Sequence, residues 1–560
     1  MEVSKSSAEL FDEALQYQIS GKLTEALALW NILMQRGPSV VQVCVNHGAV
    51  CLGLEQHAEA LGSFQKAAAL RPDDADIQNI MGVALHRLGR ADEALLSYQR
   101  ATALNPLLVE AHYNCGIVAQ SQNRLEEALA SYARVTQLCP DLAEAHDRCG
   151  AMRQLLSRFA GAMADYDQAL ALEPSNPRYL YDRASCLSAQ AHYEEALAGY
   201  DRAIALKGDF FAAHSNRALA LMEMNRPQEA LHGFDDALAL MPGHPGTECW
   251  KALVLLSQGN FREGLAHYEA RALPGGPIFL PNPVARPYWS GAETLAGKSL
   301  LLHAEQGLGD TIQFSRYAKL ASGQGARVFL SAPARLMRLL GTLSPDIQIV
   351  DEAGTLPDCD YQAMLMSMPL AFGTEVDTIP AEPAYLSADR ARTEAWAAKI
   401  GTHGFRVGLA WHGDIRPLSD HRRTLPLAQL ADVAKIPGLR LVSLQKGAGT
   451  EQLDTLPAGM VVETLGPDFD EGPDAFLDCA AVMQSLDLVI TSDNAIAHLA
   501  GALGRPVWLA LKHVPEWRWL KDRDDSPWYP GMRLFRQPVR GDWDAVFADI
   551  HTQLLQLLAR

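Results

Sequence analysis

One stretch of the chain decides the fold of its second half: Leu486-Asp-Leu-Val-Ile-Thr-Ser-Asp493-Asn-Ala-Ile-Ala-His498-Leu-Ala-Gly-Ala-Leu-Gly-Arg-Pro506. Residues 486–490 form an apolar run of strand length, followed by Thr-Ser-Asp-Asn, which are good helix N-caps, and by an Ala-rich run that ends at Gly504. The pattern predicts strand, turn and helix, with the next buried strand at 507–511. Such a helix points its free N–H groups past the carboxyl edge of a parallel sheet, where an anion can bind. An ordinary cap in an α/β core is the alternative.

Length, charge and cysteine content limit what the chain can be. Its 560 residues exceed one hydrophobic core, so two to four domains are expected. A net charge of −18 offers no basic surface to nucleic acid. Neither a signal peptide nor an apolar run of membrane-spanning length is evident, which predicts a cytoplasmic protein without membrane insertion. Nine cysteines without a C-x-x-C pair are expected to be reduced thiols.

A 34-residue repeat runs through the first half of the chain, over residues 1–272. Its recurring small residues are expected to let two helices approach, its aromatic residues to fill the space against the next unit, and its prolines to end the second helix. The small positions are Gly48, Gly82, Gly116, Gly150, Ala184, Ala218 and Ala252, and the aromatic positions are Trp30, Phe64, Tyr98, Tyr132, Tyr166, Tyr200, Phe234 and Tyr268. The pattern resembles the tetratricopeptide repeat, with eight units, and predicts an all-α solenoid with a concave groove.

Two features of the repeats bear on partners. The resemblance implies that the sixth position of each unit faces the groove, and this position holds Asn46, Asn114 and Asn216. These amides could bond the main chain of an extended peptide, or they could only solvate a helix face, since other units have Ile80, Arg148 and Asp182 there. The last unit is interpreted as a degenerate terminal repeat, because Gly264 and Arg271 stand where alanines are expected.

The second half shows short apolar strands alternating with helices, which predicts parallel α/β domains. A Pro- and Gly-rich linker is predicted at 273–296, a first Rossmann-like domain at 297–400, a second at 401–537 and a final helix at 538–560. Each Rossmann-like block has loops of the ligand-binding type at strand ends, which implies a cleft between two facing domains.

The loop motifs in these blocks carry the candidate site residues. A strand at 298–303 leads to Glu305-Gln-Gly307-Leu-Gly309-Asp310, in which the glycines allow a ligand to approach the backbone and Asp310 opens a helix. In the second block, a strand from Arg406 leads to His412, and the strand at 439–444 leads to Gln445-Lys446-Gly447. A tight turn with a capping aspartate and a surface lysine are the plainer interpretations of these motifs.

Taken together, the motifs resemble a known enzyme family. The segment 286–537 is similar to the glycosyltransferase domain of bacterial tetratricopeptide-repeat glycosyltransferases, and more distantly to heptosyltransferases and O-linked N-acetylglucosamine transferases. Besides the motifs above, the likeness rests on Ser492-Asp493-Asn-Ala-Ile-Ala-His498 and Trp517-Arg-Trp519 followed by Arg523-Asp-Asp525. It implies a GT-B fold, with the nucleotide-sugar donor on the second domain, the acceptor on the first, and inverting transfer without metal.

The chain departs from the family pattern in two places. Asn494 stands where the family usually has threonine, and the segment Asp420-His421-Arg422-Arg423-Thr424 ends in threonine where serine is usual. Asn494 still offers a backbone N–H and an amide to phosphate.

Transfer without metal needs protein groups to neutralise the leaving phosphate. The acidic groups Asp358-Cys-Asp360 and Asp522–Asp525 are interpreted as structural rather than as metal ligands, so neither a metal nor a resident cofactor is expected. The donor-binding candidates are Gly307, Gly309, His412, Arg422 or Arg423, Lys446, Asp493, Asn494, Ala495 and His498. Asp493 is expected to orient His498 or to hold a ribose hydroxyl.

Inverting transfer also needs a base for the acceptor hydroxyl. The resemblance to heptosyltransferases implies Asp310, although a helix N-terminus lowers the pKa of a carboxylate and weakens it as a base. His412 and His421 are the alternatives, because histidine titrates closer to neutrality.

The resulting hypothesis is a protein glycosyltransferase that moves a sugar from a nucleotide donor to Ser or Thr hydroxyls of a protein held by the repeats. The resemblance suggests flagellin as acceptor and a nonulosonic acid such as pseudaminic acid as sugar. The alternatives are heptosyltransferase-like transfer to a lipid or oligosaccharide, and a non-catalytic repeat scaffold. The sugar, nucleotide base, acceptor and oligomeric state are left open.

Overall fold

The chain divides into two compact units, Met1–Arg217 and Ala218–Arg560. The computed structural model describes residues 5–37, 39–277, 286–413 and 423–559. The first unit is built of helices alone among its described residues, and the second combines helices with two parallel sheets. The α plus α/β fold class predicted from the sequence is therefore confirmed.

Each 34-residue repeat folds as two antiparallel helices. The helices are α1 Ser7–Ile19, α2 Leu23–Arg36, α3 Val41–Gly53, α4 His57–Leu70, α5 Ala75–Arg87, α6 Ala91–Leu104, α7 Val109–Ser121, α8 Leu125–Leu138, α9 Ala143–Leu155, α10 Phe159–Leu172, α11 Pro177–Ala189, α12 Tyr193–Leu206, α13 Phe211–Glu223, α14 Pro227–Leu240, α15 Pro245–Ser257 and α16 Phe261–Tyr268. In the first unit, the pairs stack in sequence order as a tetratricopeptide-repeat solenoid.

The small and aromatic positions of one repeat meet each other. A Cβ added to Gly82 would lie 2.6 Å from the Tyr98 ring, and one added to Gly116 would lie 2.5 Å from Tyr132. The prediction that the aromatic residue fills space against the next unit is thus corrected, because the ring occupies the room left by the glycine of its own helix pair. This contact brings the two helices together and leaves the ring buried.

The second unit contains two separate parallel sheets. The first has strand order β3-β2-β1-β4 and the second β6-β5-β7-β8-β9. The strands are β1 Ser299–His303, β2 Arg327–Ala332, β3 Ile347–Asp351, β4 Tyr361–Met364, β5 Phe405–Ala410, β6 Leu439–Ser443, β7 Leu488–Ser492, β8 Val507–Leu511 and β9 Met532–Arg536. Because all pairs are parallel, the loops after the strands collect at the carboxyl edge of each sheet.

The helices of the second unit follow or flank these strands. They are α17 Leu308–Phe314, α18 Arg316–Gly323, α19 Met337–Leu340, α20 Met368–Ala371, α21 Arg390–Ile400, α22 Ala431–Ala434, α23 Leu477–Met483, α24 Ala495–Ala502 and α25 Trp543–Leu558. The final helix, predicted within 538–560, packs on the second sheet through Trp543, Phe547 and Ile550. Helices α17 and α24, one from each sheet region, lie in contact.

The last helix pair shares its core with the sheets. Phe261, Leu265 and Tyr268 lie in one buried cluster with Leu300 of β1 and Val489 of β7. The division at residue 217 therefore differs from the predicted boundary at 272. It does so because apolar side chains of α15 and α16 are covered by the α/β region rather than by solvent.

The residues read as signs of degeneration have structural roles in this packing. A Cβ on Gly264 would lie 2.7 Å from the Leu256 side chain, and Arg271 is fully buried in an ion pair with Glu305. The interpretation of a merely degenerate terminal repeat is therefore wrong for these two positions.

Candidate functional site

One cavity of about 590 Å³ collects most of the predicted donor and catalytic residues. It lies within the second unit, at the carboxyl ends of β5, β6 and β7 and beside the loop that follows β1. The predicted residues that line it are Gly307, Gly309, Asp310, His412, Lys446, Asp493, Asn494, Ala495 and His498. Arg423 also lines it, whereas His421 and Arg422 lie outside the described residues.

The loop after β1 brings the first sheet's residues to this cavity. Gln306 has a φ of +63°, a left-handed conformation that is uncommon for a residue other than glycine. Gly307 donates its backbone N–H to Oδ2 of Asp310 over 2.8 Å, which closes the first turn of α17. Gly309 is required at its position, because an added Cβ would lie 2.9 Å from Cδ2 of His498. The glycine loop thus allows α17 to touch α24.

Asp310 is already engaged in an ion pair. Arg518 donates to Oδ1 of Asp310 over 2.5 Å and, through its other terminal nitrogen, to Oε1 of Glu516. The guanidinium is buried and lies over the rings of Phe314 and Trp517. Burial raises the pKa of Glu516, a shift that the Arg518 charge opposes and the nearby charge of Asp493 increases. Two carboxylates therefore share one cation at the cavity wall.

The turn after β7 forms the opposite wall. Asn494 caps α24 by accepting the N–H of Ile496 over 2.9 Å, and its amide is further bonded to Thr491 and Ser492. The side chain of Asn494 thus orders the turn, while the start of the eight-residue helix α24 lines the cavity. Burial raises the pKa of Asp493, against the opposing charge of Arg423.

His498 is a buried, neutral donor rather than a cation. Burial, helped by the charges of Arg518, Arg316 and Arg423, holds its pKa well below the usual range. Its Nδ1 lies 3.0 Å from the hydroxyl of Tyr529, and its ring stacks on Trp519. When Tyr529 donates to Nδ1, the proton of the neutral ring is on Nε2.

His412 and Lys446 come from the ends of β5 and β6. Nδ1 of His412 lies 2.8 Å from the Thr424 hydroxyl, and its buried Nε2 has no protein partner among the described residues. The ammonium of Lys446 donates to the carbonyls of Phe469 and Asp470 over 2.6 and 2.5 Å. Lys446 therefore both lines the cavity and holds the segment around Asp470.

Several cavity residues were not singled out from the sequence. They are Gln306, Arg335, Gln445, Asp470, Phe476, Glu516 and Arg518. Arg518 lies in the quoted Trp-Arg-Trp motif, and the presence of an arginine between two buried tryptophans was the available signal. Phe476, with a φ of +66°, lies in a loop without any periodic pattern, so no sequence signal pointed to it.

The predicted groove asparagines lie in the first unit and bond to neighbouring helix pairs. Asn114 donates to the Asn79 amide oxygen over 3.0 Å, and Asn216 donates to the Tyr181 hydroxyl over 2.9 Å. Asn46 is buried. These bonds orient the amides, and their contact with a peptide stays a prediction.

The acidic motifs have local structural partners. Asp360 accepts from the backbone and hydroxyl of Ser299 and from Lys298, which lowers the pKa of Asp360 to about 2. Asp525 is paired with Arg523. The described residues include no cluster of three or more His, Cys, Asp or Glu side chains arranged for a metal, and no helix among them is long and apolar enough to span a bilayer.

Comparisons with known proteins define the class of the helical repeats. A TPR repeat model matches residues 84–122, and a Tetratricopeptide repeat model matches residues 156–210 and 215–277. The second unit, with its parallel sheets, is compatible with a Rossmann-like enzyme.

Among individual proteins, the chain is similar to Protein FlbA of Caulobacter vibrioides. The two are 29% identical over 330 residues, which cover 55% of this chain and 54% of FlbA. The chain thus spans about half the length of this relative.

Solved structures similar to the chain are also repeat proteins by their titles. MamA is 21% identical, covering 29% of this chain and 94% of that one, with a TM-score of 0.28. YrrB, described as a TPR protein with an unusual peptide-binding site, is 19% identical, covering 32% and 93%, with a TM-score of 0.29. A tetratricopeptide repeat protein from Parabacteroides merdae is 15% identical, covering 44% and 98%, with a TM-score of 0.36.

Proposed function

We propose that this chain is a glycosyltransferase that transfers a sugar from a nucleotide donor to hydroxyl groups of a protein acceptor bound by the helical repeats. The observation that carries the proposal is the single cavity in which residues from the ends of β1, β5, β6 and β7 converge. Ligands of parallel α/β proteins bind at this edge of the strands. The resemblance of these same loops to GT-B transferases gives the chemistry.

The cavity offers the groups that a nucleotide sugar needs. Arg423, Lys446 and the start of α24 provide positive charge and N–H groups for a diphosphate, and His498 provides a neutral donor. These groups could stabilise a leaving phosphate without a metal ion. Asp310 and Glu516, on the opposite side, are the carboxylates available to an acceptor hydroxyl.

The acceptor class follows from the repeats. A tetratricopeptide solenoid offers an extended surface suited to a polypeptide, which supports a protein acceptor over a lipid. Flagellin as the acceptor and a nonulosonic acid as the sugar are part of the proposal by family resemblance alone. A scaffold without catalysis is the second candidate, favoured by the fact that Asp310 is held in an ion pair.

Two measurements test the proposal. Calorimetry of the full chain with a panel of nucleoside mono- and diphosphates should give binding that persists in EDTA. Mass spectrometry of flagellin and of co-purified proteins, from cells with and without this chain, should show a sugar mass that depends on it. Nucleotide binding without any modified protein would favour a decayed transferase, and no binding to any nucleotide would favour the scaffold. Activity lost in EDTA and restored by Mn²⁺ would refute the metal-independent mechanism.

A further inference from the structure

The last helix pair is joined to the glycine loop by a buried ion pair. Arg271 is fully buried and binds Glu305 through two bonds, Nε to Oε2 at 3.0 Å and Nη2 to Oε1 at 2.8 Å. The side chain of Glu305 is 1% exposed and also accepts the N–H of Met366 over 2.9 Å. Arg271 completes its bonding with Glu269 and the carbonyl of Tyr268. A buried pair of this kind is seldom more stabilising than apolar residues of the same volume, so stability alone does not account for it.

The ion pair fixes the residue that precedes the strained turn. Glu305 is followed by Gln306, whose left-handed φ places Gly307 and Asp310 at the cavity. Gln306 in turn donates its side-chain amide to the hydroxyl of Tyr268 over 2.8 Å. Two consecutive loop residues are therefore held by side chains of the last helix pair.

The same helix pair also supports the other partner of Asp310. The rings of Phe261 and Tyr268 pack on Trp517, with centroids 5.8 and 6.4 Å apart. Trp517 immediately precedes Arg518, which binds Asp310. The helix pair thus contacts both chain segments that meet at the Asp310–Arg518 bond.

We infer that the last helix pair is a structural part of the candidate site, in which Arg271 and Tyr268 are positioning residues that set the Glu305–Asp310 loop against Arg518. The inference rests on the proposed function for its catalytic consequence, whereas the positioning of the loop is independent of it. The repeat array ends in the wall of the site rather than in a linker.

The variants should separate positioning from folding. Tyr268→Phe removes only the hydroxyl that binds Gln306, and Arg271→Met with Glu305→Leu replaces the ion pair with apolar side chains of similar volume. The matched control is Tyr132→Phe, which removes a comparable bond to Gln120 in the first unit. Thermal unfolding identifies any variant that fails to fold, and Tyr268→Phe remains informative if the double variant does.

Hydrogen–deuterium exchange tests the positioning itself. Exchange in peptides covering 304–312 should rise about tenfold in Tyr268→Phe and in the double variant, and should not change in Tyr132→Phe. Single-turnover transfer should fall by roughly 10–100-fold in the first two variants, as is typical when supporting contacts behind a reactive group are lost, while nucleotide affinity stays within about twofold.

The outcomes decide the two ideas separately. Unchanged exchange at 304–312 in folded variants would overturn the positioning role, and so would raised exchange with wild-type turnover. A wild-type chain without nucleotide binding or transfer would overturn the proposed function, and the exchange result alone would then judge whether the helix pair positions the loop.

Discussion

Arg518 donates a hydrogen bond of 2.5 Å to Asp310, so the carboxylate suggested as the base is paired with a guanidinium. An opposite charge at this distance favours the ionised carboxylate and weakens it as a proton acceptor. Glu516 shares the same guanidinium, lines the same cavity, and has a pKa that burial raises. The ion pair therefore makes the identity of the base a question between two carboxylates.

The first prediction concerns this base. If Asp310 is the base, Asp310→Asn should lower single-turnover transfer by roughly 10²–10⁴-fold with donor affinity nearly unchanged, the usual share of a general base. Glu516→Gln should then have the smaller effect, through the orientation of Arg518. Rates measured across pH 5–9 check it, because removal of the base also removes the rise of the rate with pH. A larger loss in Glu516→Gln would move the assignment to Glu516, and His412 follows if neither variant is impaired.

The second prediction concerns Lys446. Lys446→Ala should weaken nucleotide binding by on the order of 1.5–3 kcal/mol, because a charged donor to phosphate is lost. It should also loosen the segment around Asp470, whose carbonyl the ammonium binds. Calorimetry measures the first effect. Lys435→Ala is the control, since Lys435 is exposed and pairs only locally with Asp432 among its described contacts. Equal nucleotide affinity in the two variants would rule out a donor role for Lys446.

The third prediction concerns pH and Asp470. Burial raises the pKa of Asp470 to about 6, so the folded state holds a proton that the unfolded state has lost. The contribution of this group to stability is therefore present below about pH 4 and is lost as pH rises to about 6. Asp470→Asn keeps an acceptor for the N–H groups of Asp478 and Cys479 and should unfold about 1–2 kcal/mol less readily at pH 7.

Urea unfolding followed by tryptophan fluorescence checks this prediction, because nine of the ten tryptophans lie in the second unit. The difference between Asp470→Asn and wild type should shrink toward pH 4. The exposed neighbour Asp468, changed to Asn, serves as control. A difference that stays constant from pH 4 to 7 would contradict the expected titration.

The fourth prediction uses two helix glycines. Gly309→Ala should destabilise the second unit by about 1–3 kcal/mol, because its Cβ would lie 2.9 Å from His498 and 3.3 Å from the backbone of Ala495. Gly323→Ala, at the end of α18 with no neighbour within 4 Å, should be neutral or stabilising by up to about 1 kcal/mol. Chemical unfolding compares them. Equal stability of both variants would mean that α17 and α24 do not meet as closely as described.

The fifth prediction concerns truncation. Residues 286–560 alone should not fold well, because Glu305 would lose Arg271 and the core around Leu300 would lose Phe261 and Leu265. A fragment from residue 209 onward retains helices α13–α16 and should fold and bind nucleotide. Circular dichroism and thermal unfolding of the two fragments distinguish them. Cooperative unfolding of 286–560 at the temperature of the longer fragment would show that the last helix pair is dispensable.

Local patterns were enough to predict the repeats and the strand ends. The 34-residue spacing of small and aromatic residues predicted the helix pairs, because each pair is held by contacts within one repeat, such as Gly82 with Tyr98. The alternation of apolar runs with glycine loops predicted the parallel strands, and β8 was placed at its observed limits. Parallel strands bring their carboxyl ends to one edge, so most residues at those ends were predicted to share a site, and they line one cavity.

Contacts between distant segments were decided only by the tertiary structure. Nothing near Asp310 in the sequence shows that Arg518, about 200 residues later, neutralises it, and nothing near Arg271 shows that its partner is Glu305. Local composition predicts which residues are buried, but not which distant charge compensates a buried one. For this reason the sequence determined the helix pairs, the strands and the site's edge of the sheets, whereas the pairing of Asp310 and the place of the last helix pair in the site came from the packing of the second unit.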